Sequence, residues 1–262
     1  MQLSEIHIYP VKSCAGLRLD RAKLDRFGPA GDRRWMVTGP GGGFITQRDV
    51  PQMALIRVTP GQGTLHLSLG DSSIEITQPG GEVPSRLVRV WEDQVAAHDA
   101  GDAAADWLSA RLDRSCRLVF MPDDSVRMVD GAYATEGETV GFADGFPLLL
   151  IGQASLDELN RRLTAPVPMN RFRPNLVLAG SGPFAEDEWR RIRIGEVEFD
   201  LAKACSRCVV PSIIQETAGR DAQINRTLAS FRRREGQIYF GQNLLYRGVG
   251  ELRVGDSIEV LS

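Results

Sequence analysis

Residues 191–211 read RIRIGEVEFDLAKACSRCVVP. Ile192 and Ile194 alternate with arginines, Gly195-Glu196 interrupts, and the alternation resumes through Val197 and Phe199. That pattern is a β-hairpin. Its second strand runs into a Cys-x-x-Cys pair, Cys205 and Cys208. A dithiol motif of the thioredoxin kind follows a strand of a parallel α/β unit and opens a helix. Here the strand before the cysteines belongs to a hairpin, and Val209-Val210-Pro211 is expected to continue extended. The stretch therefore argues for a strand-rich fold.

The same design recurs along the chain. TLHLSLGDSSIEIT (64–77) alternates Leu65, Leu67 and Leu69, turns at Gly70-Asp71, and alternates Ile74 and Ile76. EIHIYPVK (5–12) sets Ile6 and Ile8 on one face, and GELRVGDSIEVL (250–261) reads as a further hairpin about Gly255-Asp256. With 27 Gly and 14 Pro punctuating short strands, a barrel or sandwich architecture is expected. Two amphipathic helices interrupt it. DAAADWLSARLD (102–113) has Asp102 as its N-cap, and SLDELNRRLT (155–164) has Ser155 and Glu158 at capping-box spacing. INRTLASFRRR (224–234) is a third, weaker helical segment. The stretch 121–145 is polar, Gly-rich and without periodicity, either a linker or a loop lining a site.

Bulk properties exclude several classes. The 262 residues suffice for one large or two modest domains. A net charge of −3 offers no basic field for nucleic acid or an anionic membrane. No run of apolar residues is long enough for a membrane span, and the start lacks the pattern of a signal peptide. Four cysteines are too few for a secreted disulfide scaffold, so a reducing cytoplasm is expected.

Polar chemistry gathers in four places. YPVKSCAG (9–16) delivers Lys12 and Ser13 into a turn, a compact cation beside a hydroxyl, suited to an anion, although taken alone a solvated turn lysine is the plainer reading. GDRRWMV (31–37) holds Arg33 and Arg34, which a strand would point to opposite faces, one to a pocket and one to water; taken alone, a surface pair is the plainer reading. MNRFRPNLVLAG (169–180) alternates Arg171 and Arg173 about Phe172, which sets the two arginines on one face, an anion site at a strand mouth or a solvated edge. The fourth is the cysteine pair. A zinc site wants four ligands, and the other cysteines (Cys14, Cys116) and the histidines (His7, His66, His98) are scattered. One thiolate on a soft transition metal, flanked by Arg207, fits better, with a cycling Cys205–Cys208 dithiol as the remaining reading.

YPVKSCAG, DRRWMV, FPLLLIGQASLDELN, NRFRPNLVLAG and ACSRCVVP, in that order, resemble the MOSC family with its N-terminal β-barrel partner domain. That family includes the mitochondrial amidoxime reducing component and its bacterial relatives. The resemblance implies a mainly β fold with a few helices (α+β): an N-terminal MOSC-type β-barrel domain over residues 1–120 and a C-terminal, β-barrel-like MOSC domain over 121–262. It implies a molybdenum–molybdopterin cofactor (Moco) with one protein cysteine as metal ligand, and that position is Cys208. Lys12, Ser13, Arg33 and Arg173 match cofactor-binding positions. Ser206 and Arg207 do so too, as do Asp144 and Gly145 in the loop before FPLLLI; Asn243 falls where some relatives have tyrosine. Pyridoxal phosphate is not expected. The implied activity is reduction of N-hydroxylated compounds (hydroxylamines, amidoximes, N-hydroxylated base analogues) to amines, a detoxifying oxidoreductase. No cysteine follows Cys208, so an iron–sulfur domain is not expected after it, and electrons are expected from a separate flavin reductase, ferredoxin or cytochrome. The rival reading is a carrier of cofactor or sulfur using Cys208.

Overall fold

The computed structural model describes residues 1–134 and 137–262; Thr135 and Glu136, in the 121–145 stretch, lie outside the described residues. Three α-helices, α1 (Asp102–Leu112), α2 (Gln153–Arg162) and α3 (Gln223–Arg232), accompany strands in four sheets among the described residues.

The largest sheet is built on the opening hairpin. Arg191–Ile194 pairs antiparallel with Val197–Ser206, with Ile192 opposite Phe199. Outward from them the order is Gln237–Tyr246, Leu148–Gly152, Leu176–Ala179, Gln2–Ile8 and Leu17–Leu19 on one side and Ile258–Val260 on the other. All these pairings are antiparallel except that of Leu148–Gly152 with Leu176–Ala179, between which the chain crosses through α2. Strand Leu148–Gly152 is covered on both faces, which explains its uninterrupted apolar run. Leu148 and Leu150 join Leu3, Leu24, Ile192, Phe199 and Leu244 in one core, while Ile151 joins Leu156, Leu159, Phe172, Leu228 and Phe240 under α2 and α3.

The N-terminal half folds around two smaller sheets. One runs Trp35–Thr38, Arg117–Phe120, Asp93–Asp99, Ser85–Val90, and the other Arg57–Pro60, Thr64–Leu69, Ser72–Thr77. The expected Gly70-Asp71 hairpin closes with Leu65 opposite Ile76 and Leu67 opposite Ile74. α1 packs Leu108 and Leu112 into the core formed by Trp35, Val37, Leu65, Leu67 and Leu118. The two halves are stitched at the chain ends: Gln2–Ile8 pairs with Leu176–Ala179, and Gly250–Arg253 with Arg21–Asp25.

Several local expectations change. GELRVGDSIEVL is not a hairpin, because Gly250–Arg253 pairs with Arg21–Asp25 and Ile258–Val260 with Arg191–Ile194. The Gly255-Asp256 turn instead spans two sheets: Asp256 accepts the Arg253 backbone N–H through its side chain, and Gly255 N–H donates to Leu3 O. Ser155 is no cap. α2 begins at Gln153 after Gly152, and the buried Ser155 hydroxyl donates to the buried Glu186 carboxylate at 2.7 Å. Likewise Gly101, not Asp102, precedes α1. Residues Val210–Ser212 form a 3-10 turn rather than extended chain.

Candidate functional site

The two long antiparallel strands Val197–Ser206 and Gln237–Tyr246 position the cysteine pair. Their register slips between Leu201 and Lys203 and again between Ala204 and Ser206. Such bulges bend a strand and re-aim its end. Ser206, still paired with Tyr239 at the end of the strand, and Arg207 and Cys208 just beyond it line a cleft together with Cys205. Arg207 is fastened by its backbone N–H to Ile238 O and by Nη2 to Phe172 O, both at 2.7 Å.

The same cleft gathers Lys12, Ser13, Arg33, Asp144, Gly145, Arg173 and Asn243. With Ser206, Arg207 and Cys208, all ten positions that the family resemblance implies thus line one cavity, of about 160 Å³, between the two halves of the chain. Three of them hold a left-handed backbone: Ser13 (φ 69°), Arg33 (φ 44°) and Arg173 (φ 55°). Non-glycine residues adopt that region at a cost of about 1–3 kcal/mol and persist there when their surroundings over-determine them. Arg33 shows how. Its N–H donates to Tyr9 O at 2.9 Å and its carbonyl accepts from Phe142 N–H at 2.7 Å. Gly141 makes that second contact feasible, since a Cβ there would stand 2.9 Å from Arg33 O.

The cations differ in how fully they are already partnered. Lys12 is buried, and its ammonium donates to Phe142 O at 2.7 Å and to Asp144 Oδ1 at 2.5 Å. Burial pulls the lysine below its ordinary value, while Asp144 opposes that. Lys12, then Arg48 and Arg33, hold the largely exposed Asp144 carboxyl well below the usual carboxylate range. Arg33 donates to Asp32 Oδ2 at 2.5 Å and to Asn175 Oδ1 at 2.9 Å. Arg173 has only a long 3.4 Å side-chain contact, to Gln215 Oε1, and burial pulls its guanidinium down to about 10. Tyr9 lies 4.4 Å from the Arg33 guanidinium and 4.1 Å from that of Arg173 (ring centroids). Its phenol, pushed up to about 12 by burial, stays protonated and donates to Pro174 O. Arg207 Nε is buried with no hydrogen-bond partner.

The four cysteines separate clearly. Cys14 and Cys116 are buried, and burial pushes both thiols up, Cys14 to about 12. Cys205 is half-buried and receives Arg207 Nη1 at 3.0 Å, so the neighbouring guanidinium engages Cys205 rather than Cys208. Cys208 is exposed to the cleft, with Val210 N–H at 3.4 Å from its sulfur. Among the described residues no three His, Cys, Asp or Glu side chains converge to hold a metal, so a zinc site built by protein alone lacks its donor set.

Two sequence expectations about arginines are corrected. Arg34 does not face water: it is buried, donating to Met121 O and to Asp123. Arg171 and Arg173 do not share a strand face. Met169–Arg171 is a 3-10 turn, so Arg171 turns inward to Pro211 O at 2.9 Å while Arg173 turns to the cleft. The cleft also contains Gln47, Arg48 and Asn175, which drew no attention in the sequence. Gln47 and Gln215 exchange amide hydrogen bonds of 3.1 and 3.0 Å.

Known proteins resemble the chain over its length. The MOSC N-terminal beta barrel domain profile matches residues 1–115, and the MOSC domain profile residues 137–259. The Mus musculus protein named mitochondrial amidoxime-reducing component 1 is 35% identical over 280 aligned residues, covering 99% of this chain and 82% of that one. The Homo sapiens protein of the same name is 32% identical, with 99% and 82% covered. An Oryza sativa molybdenum cofactor sulfurase is 32% identical over 96% of this chain, which spans 33% of that longer protein. No helix among the described residues is long and apolar enough to cross a membrane. With both domain profiles in sequence and an amidoxime-reducing component 35% identical over nearly the whole chain, the chain belongs to the MOSC family.

Proposed function

We propose that the protein is a molybdenum cofactor-dependent oxidoreductase that reduces N-hydroxylated compounds, such as hydroxylamines, amidoximes and N-hydroxylated base analogues, to amines. One observation carries the reading: a solvent-accessible thiol, Cys208, shares a cleft with cations whose donors are only partly used. That donor set fits a sulfur-bound soft metal whose organic part ends in a phosphate.

In this reading Cys208 ligates the metal. Lys12, Ser13, Arg33 and Arg173 hold the phosphate, and Ser206, Arg207, Gly145 and Asn243 line the remaining cofactor surface. Asp144 fixes the Lys12 ammonium rather than opposing it, since it faces solvent on its other side. Arg173 is a cation that burial has left without a counter-charge at hydrogen-bond distance, which an anion would supply. When bound, the cofactor supplies the two-electron chemistry that cleaves N–O. The electrons come from a separate protein, a flavin reductase, ferredoxin or cytochrome. No side chain of the cleft is assigned as a dedicated general acid.

A second reading, a carrier that holds cofactor or sulfur on Cys208 without turnover, draws on the similarity to the sulfurase. One experiment separates the two. The protein is produced in a host that makes the cofactor, its molybdenum measured, and benzamidoxime reduction assayed with an artificial electron donor. Molybdenum-loaded protein that reduces nothing sinks the enzyme reading and leaves the carrier.

A further inference from the structure

Arg48 stands in the cleft with Cys208, on the N-terminal side. Its backbone is held from both halves of the molecule. Its N–H donates to Thr46 Oγ1 at 3.1 Å, and its carbonyl accepts from Arg220 Nη2 at 2.8 Å. The preceding Gln47 donates to Ser13 O at 2.7 Å and interlocks with Gln215.

The side chain is equally constrained, yet its donors are mostly free. Nε reaches Thr46 Oγ1 at 3.2 Å. Among the described residues neither Nη atom has a hydrogen-bond or ion-pair partner, whereas the Lys12 ammonium and Arg33 Nη1 each already have two close acceptors. The guanidinium instead lies over Trp91, 4.6 Å from the ring centroid, with Phe44 at 5.8 Å. Phe44 and Trp91 pack edge to face at 5.1 Å. Trp91 is 44% exposed and sits at φ 56°. The Trp91 ring, steadied by Phe44, braces the guanidinium through a cation–π contact. A planar cation immobilised this way has already lost much of its side-chain freedom, so binding an oxyanion costs it less.

We propose that Arg48, braced by Trp91 and Phe44, is the substrate-recognition residue of the cleft and selects N-hydroxylated substrates that carry an oxyanion, a phosphate or a carboxylate. The inference rests on the reductase reading above. In the reaction the N–O bond breaks, N–H forms and water leaves, with two electrons and two protons from the donor protein or from reduced methyl viologen. Arg48 takes no part in that exchange; it holds the remote oxyanion.

The test uses molybdenum-loaded full-length protein and two matched pairs: benzamidoxime against 4-carboxybenzamidoxime, and N4-hydroxycytidine against its 5′-monophosphate. Each anionic member should show kcat/KM about tenfold or more above its neutral partner, as a charge-assisted hydrogen bond gives. The advantage should lie in KM, and preference in only one pair identifies that oxyanion. R48Q should abolish the ratio, and R48K should restore part of it. Calorimetric binding of cytidine 5′-monophosphate against cytidine, neither of which carries an N–OH, should show the same preference and the same loss in R48Q. If no substrate is reduced, the reductase reading fails while the binding pair still decides the role of Arg48. Equal handling of neutral and anionic members by the wild type in both measurements overturns the proposal. So does loss of molybdenum from R48Q, which would make Arg48 a cofactor ligand.

Discussion

The Lys12 ammonium and the Asp144 carboxylate meet at 2.5 Å across the cleft, the lysine side chain 6% exposed and the aspartate 66%. A buried cation faces an exposed anion, so solvent screens one partner only. Burial makes Lys12 give up its proton more readily than a free lysine. If its charge holds the cofactor phosphate, molybdenum retention should fall as pH rises, beginning below the ordinary lysine value of 10.5. Lys12→Arg, whose guanidinium stays protonated, should move that loss to higher pH. Metal content after gel filtration across a pH series measures it; a loss that does not respond to the substitution removes Lys12 from the phosphate site.

Cys208 and Cys205 should behave oppositely. Cys208 faces the cleft without a cationic partner in contact, while Cys205 is held by Arg207. Cys208→Ala should abolish N-hydroxyl reduction, and Cys205→Ala should keep most of it. Molybdenum content and turnover of both variants give the answer. Equal loss in the two would favour a dithiol pair.

Arg173→Ala should weaken cofactor retention about tenfold or more, the scale of one lost charge-assisted hydrogen bond. The apo protein should not suffer correspondingly. Removing a cation that burial already disfavours relieves a penalty, so the thermal midpoint of apo protein should hold or rise. Full cofactor retention in this variant sinks the phosphate role, and a falling apo midpoint shows that Arg173 supports the fold instead.

Much of this was legible in the sequence, and the misses share a cause. Hairpins closed by local turns, such as that at Gly70-Asp71, announce themselves because alternation and turn chemistry lie within a dozen residues. The Gly255-Asp256 turn carries the same local signals, but its flanking strands find better partners far away, at Arg21–Asp25 and Arg191–Ile194. Ser155 has capping-box spacing, yet a buried Glu186 from a distant turn claims its hydroxyl. In the site, residues with rare types in short motifs were visible. Arg48 and Gln47 were not, because nothing in FITQRDV marks them until Trp91 and Gln215 fold against them. The left-handed backbones at Ser13, Arg33 and Arg173 carry no sequence mark either, since glycine is the usual resident of that region.

Asp99 gives a stability prediction independent of the cleft. Its carboxylate accepts from Arg117 Nε at 2.5 Å and Nη2 at 2.9 Å, from Arg86, and from Gly101 N–H at 2.9 Å. Burial raises it, but the hydrogen bonds from Arg117, Gly101 and Arg86 outweigh that and bring it to about 2. A folded value below the ordinary 3.8 means that the unfolded chain binds the proton more readily. The stabilisation is therefore complete above about pH 4, shrinks as pH falls through the interval, and is gone below about 2. With a discount for the solvent that reaches the arginines, Asp99→Asn should cost about 1–2 kcal/mol at pH 7. Urea denaturation of wild type and variant should show the gap at pH 7 closing between pH 4 and 2. A gap that persists at pH 2 would mean that Asp99 acts through packing or geometry and not through its charge.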